Sequence, residues 1–157
     1  PMVRVFLKAP GTDPAAGVQA SVEALKPLAD EAARRQLTIA IEPGAPQLSQ
    51  KGAFLAKVAI RLKHPALGLM PDFGKLKDNI YMGTEAMLPH TITVSCKMHS
   101  FDEAGKQPDF NYPRLMKMIK QSKYQGILAI EWEGSALEPV PGVLASKKLI
   151  EKSLASG

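Results

Sequence analysis

Four carboxylate side chains follow apolar runs of the kind that form buried strands. Glu42 ends the run Leu37–Ile41, Asp72 comes shortly after Leu67–Met70, and Glu131 and Glu133 close a run that begins at Gly126. Because side chains alternate along a strand, Glu131 and Glu133 point to the same face. Neighbouring carboxylates are costly unless they bind a cation or share a proton. The pattern therefore predicts a cation-binding or acid–base site. Taken alone, Glu131 and Glu133 have another interpretation, in which Glu131 is an ordinary strand-end residue and Glu133 a solvated loop acid.

Strand-like and helix-like segments alternate five times along the chain. The strands are predicted at Met2–Lys8, Leu37–Glu42, Leu67–Met70, Thr91–Lys97 and in the run from Gly126 to Trp132. The predicted helices cover Gly17–Arg35, a segment capped by Ser49, a short stretch at Thr84–Leu88, a segment capped by Asp109 or Asn111, and the last residues of the chain. This alternation predicts an α/β fold with a parallel sheet and right-handed crossovers.

The polar residues of this pattern recur at one end of the strands. They are Glu42, Asp72, Ser95, Lys97, Glu131 and Glu133. Since the carboxyl ends of parallel strands meet at one edge of the sheet, and ligands of such folds bind at that edge, we expect these side chains to face a common site.

Composition limits the class of protein. The chain has 157 residues, 45% of them apolar and 22% charged, which is enough for one domain with a core. The longest apolar runs are too short to cross a membrane, and the single Cys96 fits a reducing compartment, so we expect a cytoplasmic protein. The net charge of +5 favours anionic ligands such as phosphorylated sugars, or weak contact with nucleic acid, although solvated helix faces explain scattered lysines better.

Four motifs in order resemble the sugar phosphate isomerase/epimerase family, whose members are xylose isomerase-like TIM barrels. They are Ile41-Glu42-Pro43, Pro71-Asp72-Phe73-Gly74, Val94-Ser95-Cys96-Lys97 with Ser100-Phe101-Asp102 after it, and Ile130-Glu131-Trp132-Glu133-Gly134. Each motif alone is weak, but their order and spacing are fairly specific. The resemblance covers the whole chain and corresponds to strands four to eight of the family.

The resemblance implies a divalent metal ion, Mn²⁺, Mg²⁺ or Co²⁺ ahead of Zn²⁺, held by Glu42, Asp72 and Glu131. The family has a histidine where this chain has Ser95, and a serine hydroxyl is a poor ligand for such an ion. His99, four residues further on, is the nearest substitute and is predicted to lie in the following loop.

The resemblance also implies roles in proton transfer. Glu42 and Glu131 would form the acid–base pair, one removing a proton beside a metal-polarised carbonyl and the other returning a proton on the opposite face. For Lys97 two interpretations stay open: contact with a substrate oxygen or phosphate, or a salt bridge to a glutamate. For Arg4 they are orientation of Glu42 or a core ion pair. Ser95, His99 and Glu133 complete the candidate substrate contacts.

The number of predicted units raises a question about closure. A complete barrel has roughly 200–250 residues or more, so residues 1–157 are expected to form a partial barrel that lacks the first three strand–helix units. Such a barrel exposes unpaired edges on its first and last strands, which invite association. We expect either a fragment of a longer protein, a poorly folding truncated product, or a barrel completed by a partner chain, for example as a homodimer through these edges.

Three functions are compatible with the sequence. The favoured one is a metal-dependent isomerase or epimerase of a sugar, sugar phosphate or related polyol. The second is a non-catalytic or truncated barrel module that binds a ligand or assembles with a partner. A nucleic-acid repair enzyme with a zinc cluster is disfavoured, because three scattered histidines cannot supply its ligands.

Overall fold

Strands and helices alternate along the chain in the computed structural model, which describes residues 1–9 and 11–156. The strands are β1 (Met2–Phe6), β2 (Thr38–Glu42), β3 (Leu67–Leu69), β4 (Thr93–Met98) and β5 (Ile127–Trp132). The helices are α1 (Pro14–Arg34), α2 (Gly52–Leu62), α3 (Ile80–Met87), α4 (Tyr112–Gln121) and α5 (Pro139–Ala155). The predicted α/β alternation is therefore confirmed.

All the strand pairings are parallel and follow chain order. β2 lies between β1 and β3, and β4 pairs with β5. Two isolated bridges, Leu69 with Thr91 and Asp72 with Ser95, join these two groups. The described strands thus form a partial TIM-barrel-like arrangement that does not close, with β1 and β5 at its two ends.

Side-chain caps set the start of three helices. Asp13, Asn79 and Asn111 each accept hydrogen bonds from backbone N–H groups in the first turn of α1, α3 and α4. The prediction that Ser49 caps α2 is wrong. The helix begins at Gly52, and the buried Ser49 hydroxyl accepts a hydrogen bond from the N–H of Ala9, at 3.4 Å.

Alternation along β4 separates the apolar core from the polar face of the sheet. Val94, Cys96 and Met98 are fully buried in an apolar cluster together with residues of α4 and α5. Burial raises the pKa of the Cys96 thiol to about 12, as expected for an unreactive core cysteine. Ser95 and Lys97 point to the other face of the strand, and this alternation places them beside β5 and its glutamates.

Within the described ranges, the helices lack a stretch both long and apolar enough to span a membrane.

Candidate metal centre

Three carboxylates meet at the carboxyl ends of the strands. Glu42 is the last residue of β2, Asp72 follows β3, and Glu131 lies near the end of β5. One potential ligand atom from each lies within 4.8 Å of the others. Glu42 and Asp72 have no solvent exposure, and Glu131 is partly exposed. The three residues predicted as metal ligands are therefore brought together at one edge of the sheet.

In each of the two buried carboxylates one oxygen is bound and the other accepts no hydrogen bond from the residues that the structure describes, although Asp72 Oδ2 lies 3.5 Å from the Lys97 ammonium. Glu42 Oε2 lies 3.0 Å from the Lys75 ammonium and 3.4 Å from the Arg4 guanidinium. Asp72 Oδ1 accepts hydrogen bonds from the N–H groups of Gly74 (2.8 Å) and Lys75 (3.0 Å). Glu42 Oε1 and Asp72 Oδ2 are buried without a hydrogen-bond partner among the described residues. Such buried oxygens are unfavourable unless a cation or a proton compensates them.

Lys97 and Ser95 bind the third carboxylate. The Lys97 ammonium lies 2.9 Å from Glu131 Oε1 and 2.6 Å from Glu133 Oε1. The Ser95 hydroxyl donates a hydrogen bond to Glu131 Oε2 at 2.6 Å. Ser95 therefore orients the Glu131 carboxylate by donating a hydrogen bond to it. The salt bridge that was one interpretation of Lys97 is present, and its contact with substrate stays a prediction.

The surroundings shift the pKa values of these groups in different directions. Burial, followed by the neighbouring Glu42 carboxyl group, raises the pKa of Asp72 to about 7. Partial burial opposes ionisation of Glu131, but the hydrogen bonds from Ser95 and Lys97 outweigh it and lower the pKa of Glu131 to about 2. Burial likewise disfavours the charged form of Lys97, yet hydrogen bonds to Glu133 and Glu131 raise its pKa above the ordinary range. The Lys97 ammonium is thus a permanent charge of the site.

Two further predicted residues lie beside this cluster. The Arg4 side chain is 47% exposed and contacts Glu42, so it is not the enclosed core ion pair that was the alternative. His99 lies in the loop that follows β4. Its Nε2 packs against Gly74, so that a Cβ atom added to that glycine would lie 3.2 Å from it. His99 is not among the described side chains that group with the three carboxylates.

Lys75 was not identified from the sequence. Its backbone N–H binds Asp72 while its ammonium binds Glu42, so this one residue contacts both buried carboxylates. The ammonium also lies 4.7 Å from the ring centroid of Phe6, at the end of β1. A signal was available, because Lys75 comes three residues after Asp72 in the loop at the same edge of the sheet.

The donor set fits a hard divalent cation. Carboxylate oxygens are the ligands that Mg²⁺ and Mn²⁺ prefer, whereas closed zinc sites are built mainly from cysteine and histidine. Glu42 Oε1 and Asp72 Oδ2, which accept no hydrogen bond within the described part of the chain, supply two such oxygens, and Glu131 lies close enough to add a third. A bound cation would also compensate the two buried oxygens that have no hydrogen-bond partner.

Comparison with known proteins gives one family and several similar folds. The family model for the xylose isomerase-like TIM barrel matches residues 2–155. The C-glycoside deglycosidase alpha subunit of Arthrobacter globiformis is 34% identical over 50 residues, which are 32% of this chain and 14% of that protein.

Solved structures of similar fold that cover most of the chain include the following two. The IolI protein with a bound zinc atom has a TM-score of 0.75 at 14% identity, over 99% of this chain and 63% of that one. The 3-keto-D-glucoside 4-epimerase YcjR from E. coli, in its apo form, has a TM-score of 0.67 at 16% identity, over 91% of this chain and 56% of that one. These likenesses establish the fold, and the chain spans less than two thirds of the length of either protein.

Proposed function

Because the chain belongs to the family of xylose isomerase-like TIM barrels, we propose that it is a metal-dependent isomerase or epimerase. Its substrate would be a sugar, a sugar phosphate or a related polyol. Two of the similar proteins named above, a 3-keto-D-glucoside 4-epimerase and a C-glycoside deglycosidase subunit, have carbohydrate substrates in their names. Because the identity is low or the overlap is short, these names support only the class of substrate.

The observation that carries the proposal is the convergence of Glu42, Asp72 and Glu131 within 4.8 Å. These residues would hold a divalent ion, Mn²⁺, Mg²⁺ or Co²⁺, through carboxylate oxygens. Zinc is also considered, since a similar structure contains it, although the donor set favours the harder ions. The ion would supply Lewis acidity that polarises a substrate carbonyl and acidifies the neighbouring C–H bond.

Proton transfer would be the work of Glu42 and Glu131. One carboxylate removes the proton from the carbon next to the carbonyl, and the electron pair of that C–H bond delocalises onto the carbonyl oxygen. The other glutamate, as a carboxylic acid, returns a proton to the opposite face of the same carbon, which inverts its configuration. Ser95 and Lys97 would keep Glu131 ionised and oriented, since both donate hydrogen bonds to it.

Carbon–hydrogen exchange in D₂O tests this proposal directly. A panel of ketoses and ketose phosphates is incubated with the chain, and deuterium at the carbon beside the carbonyl is followed by NMR. The proposal expects exchange that requires Mn²⁺ and that falls about 100-fold or more in Glu131→Gln. Glu103→Gln, which changes an exposed loop acid, is the matched control and should keep full activity. Exchange that is equally fast with EDTA, or unchanged in Glu131→Gln, would contradict the mechanism.

A non-catalytic module is the alternative, and one observation favours it. Lys97 already forms salt bridges with Glu131 and Glu133 from within the protein, so part of the negative charge of the acidic cluster is compensated without any metal. A module of this kind would bind a ligand or a partner chain while lacking turnover. Calorimetry with Mn²⁺ separates the two functions, because the module predicts no heat of binding even at millimolar metal.

We further propose that residues 1–157 act as one partial-barrel domain, completed by a partner chain. Apolar side chains are exposed along both end strands, with Met2 46% and Val3 45% exposed on β1 and Ile127 69% exposed on β5. Strands with free edges and apolar side chains pair readily with other strands. A second copy of the chain could supply parallel strands to both edges.

A further inference from the structure

The rim of the metal centre carries two cations that share one carboxylate oxygen. The ammonium of Lys75 lies 3.0 Å and the guanidinium of Arg4 lies 3.4 Å from Glu42 Oε2. Glu42 itself is fully buried, whereas the Lys75 and Arg4 side chains are 30% and 47% exposed. The two positive groups thus lie between a buried carboxylate and the solvent.

Both cations also flank the ring of Phe6. The Lys75 ammonium lies 4.7 Å and the Arg4 guanidinium 5.2 Å from the ring centroid, which is within the range of cation–π interactions. Phe6 is 45% exposed, and Gly44 leaves room for it, because a Cβ atom on that glycine would lie 2.8 Å from the ring. The ring therefore fixes the cations at the carboxyl end of β1 and covers part of them from water. We call Arg4, Phe6 and Lys75 the Phe6 rim.

The charges of the site become unbalanced when a metal ion binds. Four carboxylates are connected by contacts to three cations, namely Glu42, Asp72, Glu131 and Glu133 with Arg4, Lys75 and Lys97. A divalent ion adds two positive charges to this set, which leaves an excess of one positive charge. An uncompensated charge in a partly buried site is unfavourable, so a ligand with one or two negative charges would bind more tightly than a neutral one.

We infer that the Phe6 rim binds the anionic group of a sugar acid or sugar phosphate, and that Lys75 is the residue that selects it. The inference rests on the proposed function, since it assumes a metal ion on the carboxylates. Lys75 is the better placed of the two cations, because its backbone N–H is fixed on Asp72 while its ammonium reaches the rim. A charged hydrogen bond to an anionic oxygen is stronger than one to a hydroxyl group, which gives discrimination by charge.

The test compares ligands that have a six-carbon skeleton in common and differ in charge, on the Mn²⁺-saturated chain. D-gluconate and D-glucose 6-phosphate supply a carboxylate and a phosphate, and D-glucose is the neutral reference. Titration calorimetry should give at least one of the two anions an affinity about tenfold or more above that of D-glucose. The stronger of the two identifies which anionic group the rim accepts.

Variants then assign the preference to Lys75. Lys75→Met should remove the difference between anion and D-glucose, and Lys75→Arg should keep it. Lys77→Met is the matched control, because it removes an exposed lysine from the same loop and should leave the preference intact. Equal affinities of the wild-type chain for anions and D-glucose, or equal effects of Lys75→Met and Lys77→Met, would overturn the inference.

Failure of the inference and failure of the proposed function give different results. Absence of Mn²⁺ binding by the wild-type chain contradicts the metal centre and removes the inference with it. Mn²⁺ binding without a preference for anions contradicts the Phe6 rim alone and leaves the metal centre intact.

Discussion

The ammonium of Lys97 lies 3.5 Å from Asp72 Oδ2, a buried carboxylate oxygen that has no hydrogen-bond partner among the described residues. The same ammonium is bound to Glu131 and Glu133. Lys97 is therefore the built-in cation of the acidic cluster, and a divalent ion on Glu42, Asp72 and Glu131 would lie beside it. The Lys97 ammonium and the divalent ion would both stabilise these carboxylates, and they would repel each other.

Replacing Lys97 with methionine separates these two effects. Lys97→Met leaves the carboxylates uncompensated, so the free energy of unfolding of the metal-free chain should fall by about 3 kcal/mol. The affinity for Mn²⁺ should rise, because a positive charge next to the ion is lost. Urea unfolding in EDTA and calorimetry measure the two quantities. Lys77→Met, a surface control, should change stability by less than about 0.5 kcal/mol, and a loss of Mn²⁺ affinity in Lys97→Met would contradict the expectation.

Asp72→Asn should remove metal binding without loss of the fold. The amide oxygen can still accept the hydrogen bonds from Gly74 and Lys75 that Oδ1 accepts now. The charge that burial disfavours is gone, so stability in EDTA at pH 8 should stay equal or rise, while Mn²⁺ affinity falls about tenfold or more. Calorimetry and urea unfolding measure both. A clearly destabilised variant would show that the Asp72 charge supports the fold.

The pH dependence of stability that comes from Asp72 should disappear when metal binds. The pKa of Asp72 is raised from 3.8 to about 7 in the folded metal-free chain. Between about pH 4 and pH 7 the folded chain therefore keeps a proton on Asp72 that the unfolded chain has already lost. The contribution of Asp72 to stability therefore decreases as the pH rises through that window. With Mn²⁺ bound the carboxylate is ionised in both the folded and the unfolded chain over this range, so the contribution of Asp72 to stability should not change with pH. Urea midpoints from pH 5 to 8, with EDTA or with Mn²⁺, measure both slopes.

Asp72→Asn is the control for that profile. The variant should lose the decrease in EDTA, and its profiles with EDTA and with Mn²⁺ should have the same slope, because the difference in the wild type depends on one carboxyl group. The lowered pKa of Glu131, about 2, acts in the other direction and only in acid: its contribution is present above about pH 4.5 and is lost as the pH falls toward 2. A profile in EDTA that is the same in the wild type and the variant would contradict the role of Asp72.

Association through the end strands is expected to be visible in the mass of the particle. Light scattering should give the mass of a dimer, and the doubly substituted chain Val3→Lys, Ile127→Lys should give that of a monomer, since lysine on a strand edge opposes pairing. Lys57→Glu, on the surface of α2, is a control charge change away from both edges. A monomeric mass for the well-folded wild-type chain would remove the dimer proposal.

Local patterns in the sequence were sufficient for the order of the elements and for the candidate ligands. Apolar runs that end in Glu42, Asp72 and Glu131 are visible without any structure, because a buried strand must be apolar and an acid at its end is conspicuous. Parallel pairing then places those ends at a common edge, which is why their convergence could be predicted. Helix starts were less certain, since Ser49 and Asn79 are equally good caps by type and only packing decides between such candidates.

The contacts across the site depended on the tertiary structure. The sequence left Lys97 and Arg4 with two interpretations each, because the length and flexibility of these side chains allow many partners. Lys75 was missed altogether, since the contact of its ammonium with Glu42 joins the loop after β3 to the end of β2, 33 residues earlier. Spacing along a strand determines which face a side chain occupies. Which oxygen of a carboxylate is bound and which is free is decided only where the folded strands come together.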